Sequence, residues 1–217
     1  MNAGTEHPAP RRFSDIAGSN RARLEAISDG LFAVGMTLLV LGLAVPMVKD
    51  VSSESDLWRA LGNLFPSVVT YFMSFLTLGI FWVGQQAQLT KVERPNRGFT
   101  WMHLIFLMAV TLVPFSTQLL ARFHWSRLAL IVYWLNIAVM GVMLLVSLEY
   151  GLRTNVFPED HRRTVALFFR RRIIGAQSLY LVAMLLSFVD THLSIAAFVA
   201  IQLNFVIAPP IPFLRDI

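Results

Sequence analysis

The 217-residue chain is 56% hydrophobic and only 14% charged, with a mean hydropathy of +0.61. A soluble domain carries about 25% charged residues, so this composition argues against a water-facing globule, and against intrinsic disorder, which needs low hydrophobicity and high charge. The net charge of +5 in so apolar a chain reads as positive charge held at a membrane face, and the absence of cysteine removes disulfides, thiolate catalysis and Cys-based metal sites.

Taken from the N-terminus, residues 1–20 are expected to form a disordered cytoplasmic tail, and 21–217 a single membrane domain. The first apolar run is not expected to be a signal peptide. It is too long for an h-region, no small-residue cleavage pattern follows it, and His7, Pro8, Pro10 and Asp15 precede it. Charge-free runs cover 30–48, 60–90, 98–121, 128–148, 173–189 and 191–214. A transmembrane helix takes about 20 apolar residues. The second run exceeds that, which predicts its helix over 64–86. The fifth is at the lower limit, with Arg170, Arg171 and Arg172 placed to snorkel from its end. The expectation is an all-α polytopic membrane protein with six transmembrane helices. No internal repeat or low-complexity tract is present.

Basic residues set the orientation. The tail (Arg11, Arg12, Arg21, Arg23), the second connection (Lys91, Arg94, Arg97), the fourth (Arg153, Arg162, Arg163, Arg170, Arg171, Arg172) and the C-terminus (Arg215) hold all but four of the 18. Only Lys49, Arg59, Arg122 and Arg127 fall on the other side. With six spans, both termini are predicted cytoplasmic. Anionic lipids are a secondary expectation at Arg162, Arg163, Arg170, Arg171 and Arg172. Nucleic-acid binding is not supported, because no fold motif or aromatic interleaving accompanies the charge.

Polar residues inside the spans are few. The first helix opens Arg23-Leu-Glu25-Ala-Ile27-Ser28-Asp29-Gly30, with Glu25 and Asp29 one turn apart on one face. Ionisable groups near lipid are costly and find partners or face a cavity; an interfacial anchor is the plainer reading. Val34, Leu38, Leu41 and Val45 recur on one helical face with Thr37 beside them. Periodicity alone makes that stripe an ordinary packed or lipid-facing surface. Trp82 suits an interfacial belt, and Gln85 and Gln86 a solvated helix end. His103 lies about a turn inside the third helix, where a hydrogen-bonded structural role is the default. Pro114 is expected to kink its helix and free a carbonyl. Asn136, Gln177, Gln202 and Asn204 are expected to bond between helices. No catalytic motif appears: neither H-E-x-x-H, G-x-S-x-G, a phosphate-binding glycine loop nor clustered histidines. An enzyme is not expected.

The opening of the first helix resembles the R-x-x-x-F-S-D signature of the transmembrane protein 175 family, potassium-permeable channels of animal endolysosomes with shorter relatives in bacteria and archaea. The resemblance continues through GLFAVGMTLLVLGLAVP, YFMSFLTLGIFWVGQQ and WMHLIFLMAVTLVPFSTQLL, about half the chain. Ile27 stands where the family usually has Phe, Gln85 and Gln86 where it more often has histidines, and His103 where it often has Asn.

The resemblance implies a homotetramer in a prokaryotic plasma membrane, one six-helix bundle per subunit, with four first helices lining a central pore. It places Val34, Leu38 and Leu41 at an apolar constriction and Thr37 at the hydroxyl position that favours potassium. It joins Arg23, Ser28 and Asp29 with Gln85, Gln86 and His103 in a network that holds the pore helix. No cofactor is implied; potassium is the permeant ion. A ring of apolar side chains gates by dewetting and steric closure. The rival reading is a proton-coupled transporter using Glu25 and Asp29, although the internal repeat common in transporters is missing. A membrane enzyme or a structural membrane partner comes third.

Overall fold

The computed structural model describes residues 20–47, 52–154, 156–158 and 162–207, without the side chains of 162–165. Residues 1–19 of the expected disordered tail, Lys49 and Arg215 lie outside these residues, as do the side chains of Arg162 and Arg163; the last residue of that tail, Asn20, is ordered as a helix cap. Among the described residues all regular structure is helical.

Helix α1 runs Arg21–Leu39 and tightens into a 3-10 turn, Val40–Gly42. Its N-terminus is capped by Asn20, whose side chain accepts from the Arg23 N–H, replacing one of the bonds a helix start lacks. Helix α2 (Glu54–Asn63) is capped in the same way by Ser53. Helix α3 spans Phe65–Leu89, with Pro66 in its first turn, where a missing N–H costs nothing. Asn96 caps α4 (Arg97–Thr111), which is followed by α5 (Val113–Arg122). Helix α6 is Arg127–Arg153 and α7 is Arg162–Leu185. A short 3-10 turn, Leu186–Phe188, leads to α8, Thr191–Ile207.

Four stretches are long and apolar enough to cross a membrane: Arg21–Gly42, Phe65–Leu89, Arg97–Arg122 and Arg127–Arg153. These correspond to the first four predicted spans. The fifth predicted run forms only the C-terminal part of α7, whose N-terminal half carries the arginine cluster; the sixth is the shorter apolar α8. The second span, α3, extends past the predicted end at Gln86 to Leu89. The long charge-free run before it is divided between α3 and the separate, amphipathic α2.

The third span is interrupted at Leu112, two residues before Pro114. Proline has no N–H, and its ring disfavours helical backbone at the preceding residue. At the break the Ala109 carbonyl accepts from the Asn136 amide of α6 at 2.9 Å. Asn136 Oδ1 accepts in turn from the Ser116 hydroxyl at 3.1 Å. The Ala109 carbonyl, which also accepts from the Leu112 N–H at 3.2 Å, thus gains a second donor from a neighbouring helix.

Helices α4, α6 and α7 pack in series, and α3 packs against α1, α5 and α8. Phe32, Phe81 and Phe106 form one buried aromatic cluster at the α1–α3–α4 contact. Tyr133, Tyr180 and Phe198 form a second between α6, α7 and α8. Beside the latter, Tyr133 Oη lies 3.0 Å from Thr77 Oγ1 and accepts from Ser74 at 3.3 Å. Gln202 of α8 donates to Thr77 Oγ1 at 2.7 Å. At Gly141 of α6 the Gln177 side chain of α7 occupies the space that a Cβ would fill.

Candidate functional site

Two consecutive residues of α1 tie it to its neighbours. Ser28 is fully buried. Its hydroxyl donates to the Leu24 carbonyl at 2.7 Å, one turn back. The same oxygen lies 2.7 Å from His103 Nε2 of α4 and accepts from Gln85 Nε2 of α3 at 3.2 Å. Because the serine proton is directed to Leu24, the short contact with His103 is best made with the proton on Nε2 and the imidazole donating. Gln85 Oε1, at the other end of the amide, is buried without a partner.

Asp29, the next residue, turns to the exposed side of the same corner. Its Oδ1 accepts from Trp82 Nε1 at 2.8 Å and from Gln86 Nε2 at 2.6 Å. Trp82 and Gln86 are four apart and share one face of α3. Both bonds are charge-assisted, which makes them stronger than neutral pairs. Nearer the helix start, Arg21 Nε donates to Glu25 at 2.7 Å, and its Nη1 reaches the Thr90 and Val92 carbonyls at 3.2 and 3.4 Å. Helix α1 is therefore tied at three successive levels to the α3–α4 corner.

Of the residues singled out from sequence, Ser28, Gln85 and His103 meet in one buried cluster. Asp29 and Gln86 meet in an adjoining exposed one. The Arg23 side chain is not brought into either; it is exposed, and its backbone N–H bonds Asn20. Two contributors are absent from that set. Trp82 reads from sequence as a belt residue, and Arg21 as one charge among many. The clue in each case is a four-residue spacing, Trp82 to Gln86 and Arg21 to Glu25. Gln88 was not singled out either; it is buried and donates to Ser147 Oγ of α6 at 3.1 Å.

Beyond Gly30 the polar bonding stops and α1 presents two faces. Phe32, Gly35 and Leu39 turn inward. Val34, Leu38, Leu41 and Val45 are 53%, 42%, 72% and 86% exposed. Thr37 is exposed beside them, its hydroxyl donating to the Val34 carbonyl of its own helix at 2.8 Å. Of the four long apolar stretches α1 is the least enveloped, with 28% of its most apolar window buried against 50% for the third.

The carboxylates of the rival transporter reading are both engaged. Glu25 pairs with Arg21, and Asp29 holds two donors. In the arginine cluster, Arg170 Nε donates to Glu149 of α6 at 2.8 Å, which commits that guanidinium to an interhelical ion pair. Among the described residues no group of three or more metal-ligating side chains occurs.

Comparison with known proteins gives the family. The family model described as the endosomal/lysosomal potassium channel TMEM175 matches residues 23–114, which contain both clusters. A potassium channel of Chamaesiphon minutus is 33% identical over 193 residues, covering 86% of this chain and 94% of that protein. A potassium channel of Streptomyces collinus is 38% identical over 124 residues, 55% of this chain and 59% of that relative's length. The crystal structure of a lysosomal potassium-selective channel TMEM175 homolog from Chamaesiphon minutus superposes with a TM-score of 0.77 at 30% identity, covering 87% of this chain and 97% of that one. By sequence over most of its length, and by fold, this chain belongs to the TMEM175 family.

Proposed function

We propose that the chain assembles as a homotetrameric, potassium-preferring cation channel in a prokaryotic plasma membrane. Four copies of α1 line the axis. Val34, Leu38 and Leu41 form the constriction, and Thr37 supplies hydroxyls beside it. α7 and α8 serve as the fifth and sixth spans, and both termini lie on the cytoplasmic side. Potassium is the permeant ion and no cofactor takes part.

The observation that carries this reading is the division of α1. Its N-terminal half is held by Ser28, Asp29 and Arg21, whereas its C-terminal half carries an apolar stripe that stays exposed among the described residues. A pore helix needs a fixed base and an axial face left for symmetry mates. The family membership and the printed names of its relatives support the choice of a channel. A narrow ring of Val and Leu side chains excludes water until it widens, so such a pore conducts sparingly and needs no charged filter. The engaged state of Glu25 and Asp29 favours the channel over proton carriage by these acids.

The test is current through purified protein in planar bilayers under a potassium gradient. Ohmic current reversing near the potassium potential is expected. Leu38→Asn should wet the constriction and raise unitary conductance several-fold. A well-assembled oligomer that passes no cation under any condition, or a Leu38→Asn variant with unchanged current, overturns the proposal.

A further inference from the structure

At the end of the bundle opposite Arg21, a cavity of about 520 Å³ lies between the start of α3 and the length of α8. Phe65 and Val69 line it from α3, and Val199 and Leu203 from α8. Its surface end is closed by His124, in the turn between α5 and α6, and by His192 in the first turn of α8. Eleven residues separate His192 from Leu203, a rise of about 16 Å along a helix. The cavity is thus a trough, apolar along its length and polar at one end. Its volume falls within the roughly 300–1,000 Å³ of small-molecule sites. The one other polar lining residue, Thr70, has its hydroxyl directed to the Pro66 and Ser67 carbonyls.

The polar end has donors and positive charge to spare. The two imidazoles lie 5.8 Å apart between centroids. His124 Nδ1 is buried with no hydrogen-bond partner. Arg122 and Arg127 flank the same turn and are exposed, the latter over the Phe188 ring. The nearby acid, Asp190, accepts from the Leu193 N–H as the cap of α8. Two histidines without a third protein ligand make a poor metal site. A long apolar slot beneath a cationic, donor-rich head instead fits an amphiphile with a negative head. An empty trough would forfeit the dispersion contacts of its walls, and lipid tails are the solvent at hand.

We propose that this trough holds one acyl chain of an anionic phospholipid, its phosphate accepting hydrogen bonds from His124 and His192. The site lies at the other end of the bundle from the Arg162–Arg172 cluster and does not depend on which helix lines a pore. A bound lipid there would clamp the α5–α6 turn to the first turns of α3 and α8.

Photoactivatable phosphatidylglycerol, with the reactive group on the acyl chain, tests this on the purified full-length oligomer. Crosslinks are expected in the peptides covering 65–70 and 192–203. Unlabelled phosphatidylglycerol should compete about tenfold better than phosphatidylcholine. Arg122→Gln with Arg127→Gln should erase that preference while leaving chain labelling in place, and His124→Ala with His192→Ala should weaken competition by both lipids. Ala200→Phe, which fills the trough, should abolish labelling of both peptides. Ala196→Leu serves in its place if the first variant loses the wild-type oligomer. Absence of label from both peptides, equal competition by the two lipids, or undiminished labelling of a filled-trough variant overturns the proposal. The first outcome points to a second copy of the chain as the occupant.

Discussion

Ser28 shows how much one hydroxyl organises when it is buried between three helices. It donates once, to Leu24, and accepts from Gln85 and His103. Ser28→Ala removes the acceptor and strands two buried donors, a loss of about 1–3 kcal/mol. Thermal denaturation of the detergent-solubilised oligomer should therefore show a clear drop in Tm. A change within error would mean that water replaces the hydroxyl. At Asp29 the expected order is different. Asn keeps an acceptor for Trp82 and Gln86 and loses only the charge, whereas Leu loses both bonds. Asp29→Asn should therefore be the milder variant by Tm, and equal losses would show that the two bonds do not set the stability of the corner. Ser28 and Asp29 are legible in the sequence because they interrupt an otherwise apolar helix. Trp82 is not, because tryptophan at a span's end already has a common explanation in the headgroup belt and its partner lies 53 residues away. A pairwise contact across helices leaves no local trace beyond the i, i+4 spacing of its donors.

At the scale of elements, apolar runs report where lipid or core lies, while helices stop where the backbone can no longer continue. The two start together at α6, whereas α1 begins nine residues before its charge-free run. They part again at α7, which starts at Arg162, well before its apolar part, because Arg, Ala and Leu propagate a helix as readily in water as in lipid. The same limitation hides α2, whose Leu57, Trp58 and Leu61 alternate with Glu54, Asp56 and Arg59 and so break every charge-free window. Pro114 correctly marks an interruption, but sequence alone does not say which donor meets the freed backbone. Asn136, from α6, adds a donor to the Ala109 carbonyl beside the break. Asn136→Leu should cost about 0.5–1.5 kcal/mol, the net worth of one hydrogen bond, since the Ala109 carbonyl keeps the Leu112 N–H and loses its second donor. A lowered Tm, with faster amide hydrogen exchange around 109–116, is the expected outcome. Stability equal to that of the parent would mean that the break is satisfied from within its own span.

For the whole molecule, the proposed assembly requires that α1 meet its own copies at the axis. Within one chain a lipid-facing stripe and an axial stripe are both apolar and both exposed. Val139 and Val142 of α6 are as exposed as Val34 and Leu38 of α1. What separates the two faces is symmetry: residues near a fourfold axis approach their own copies, whereas residues on the perimeter do not. The chain contains no cysteine, so single introduced thiols report this proximity without background. A disulfide requires Cα atoms within about 7 Å, a separation that a closed ring of side chains at Leu38 allows and an outer face forbids. Leu38→Cys and Val34→Cys in native membranes should form covalent dimers within minutes of mild oxidation, while Val139→Cys should stay monomeric on a non-reducing gel. Leu41→Cys, one turn nearer the helix end, should crosslink less if the constriction is centred on Leu38. Rapid dimerisation of Val139→Cys together with inert α1 thiols would move the axis to α6. The apolar stripe of α1 would then be a lipid-facing surface, as its periodicity alone allows.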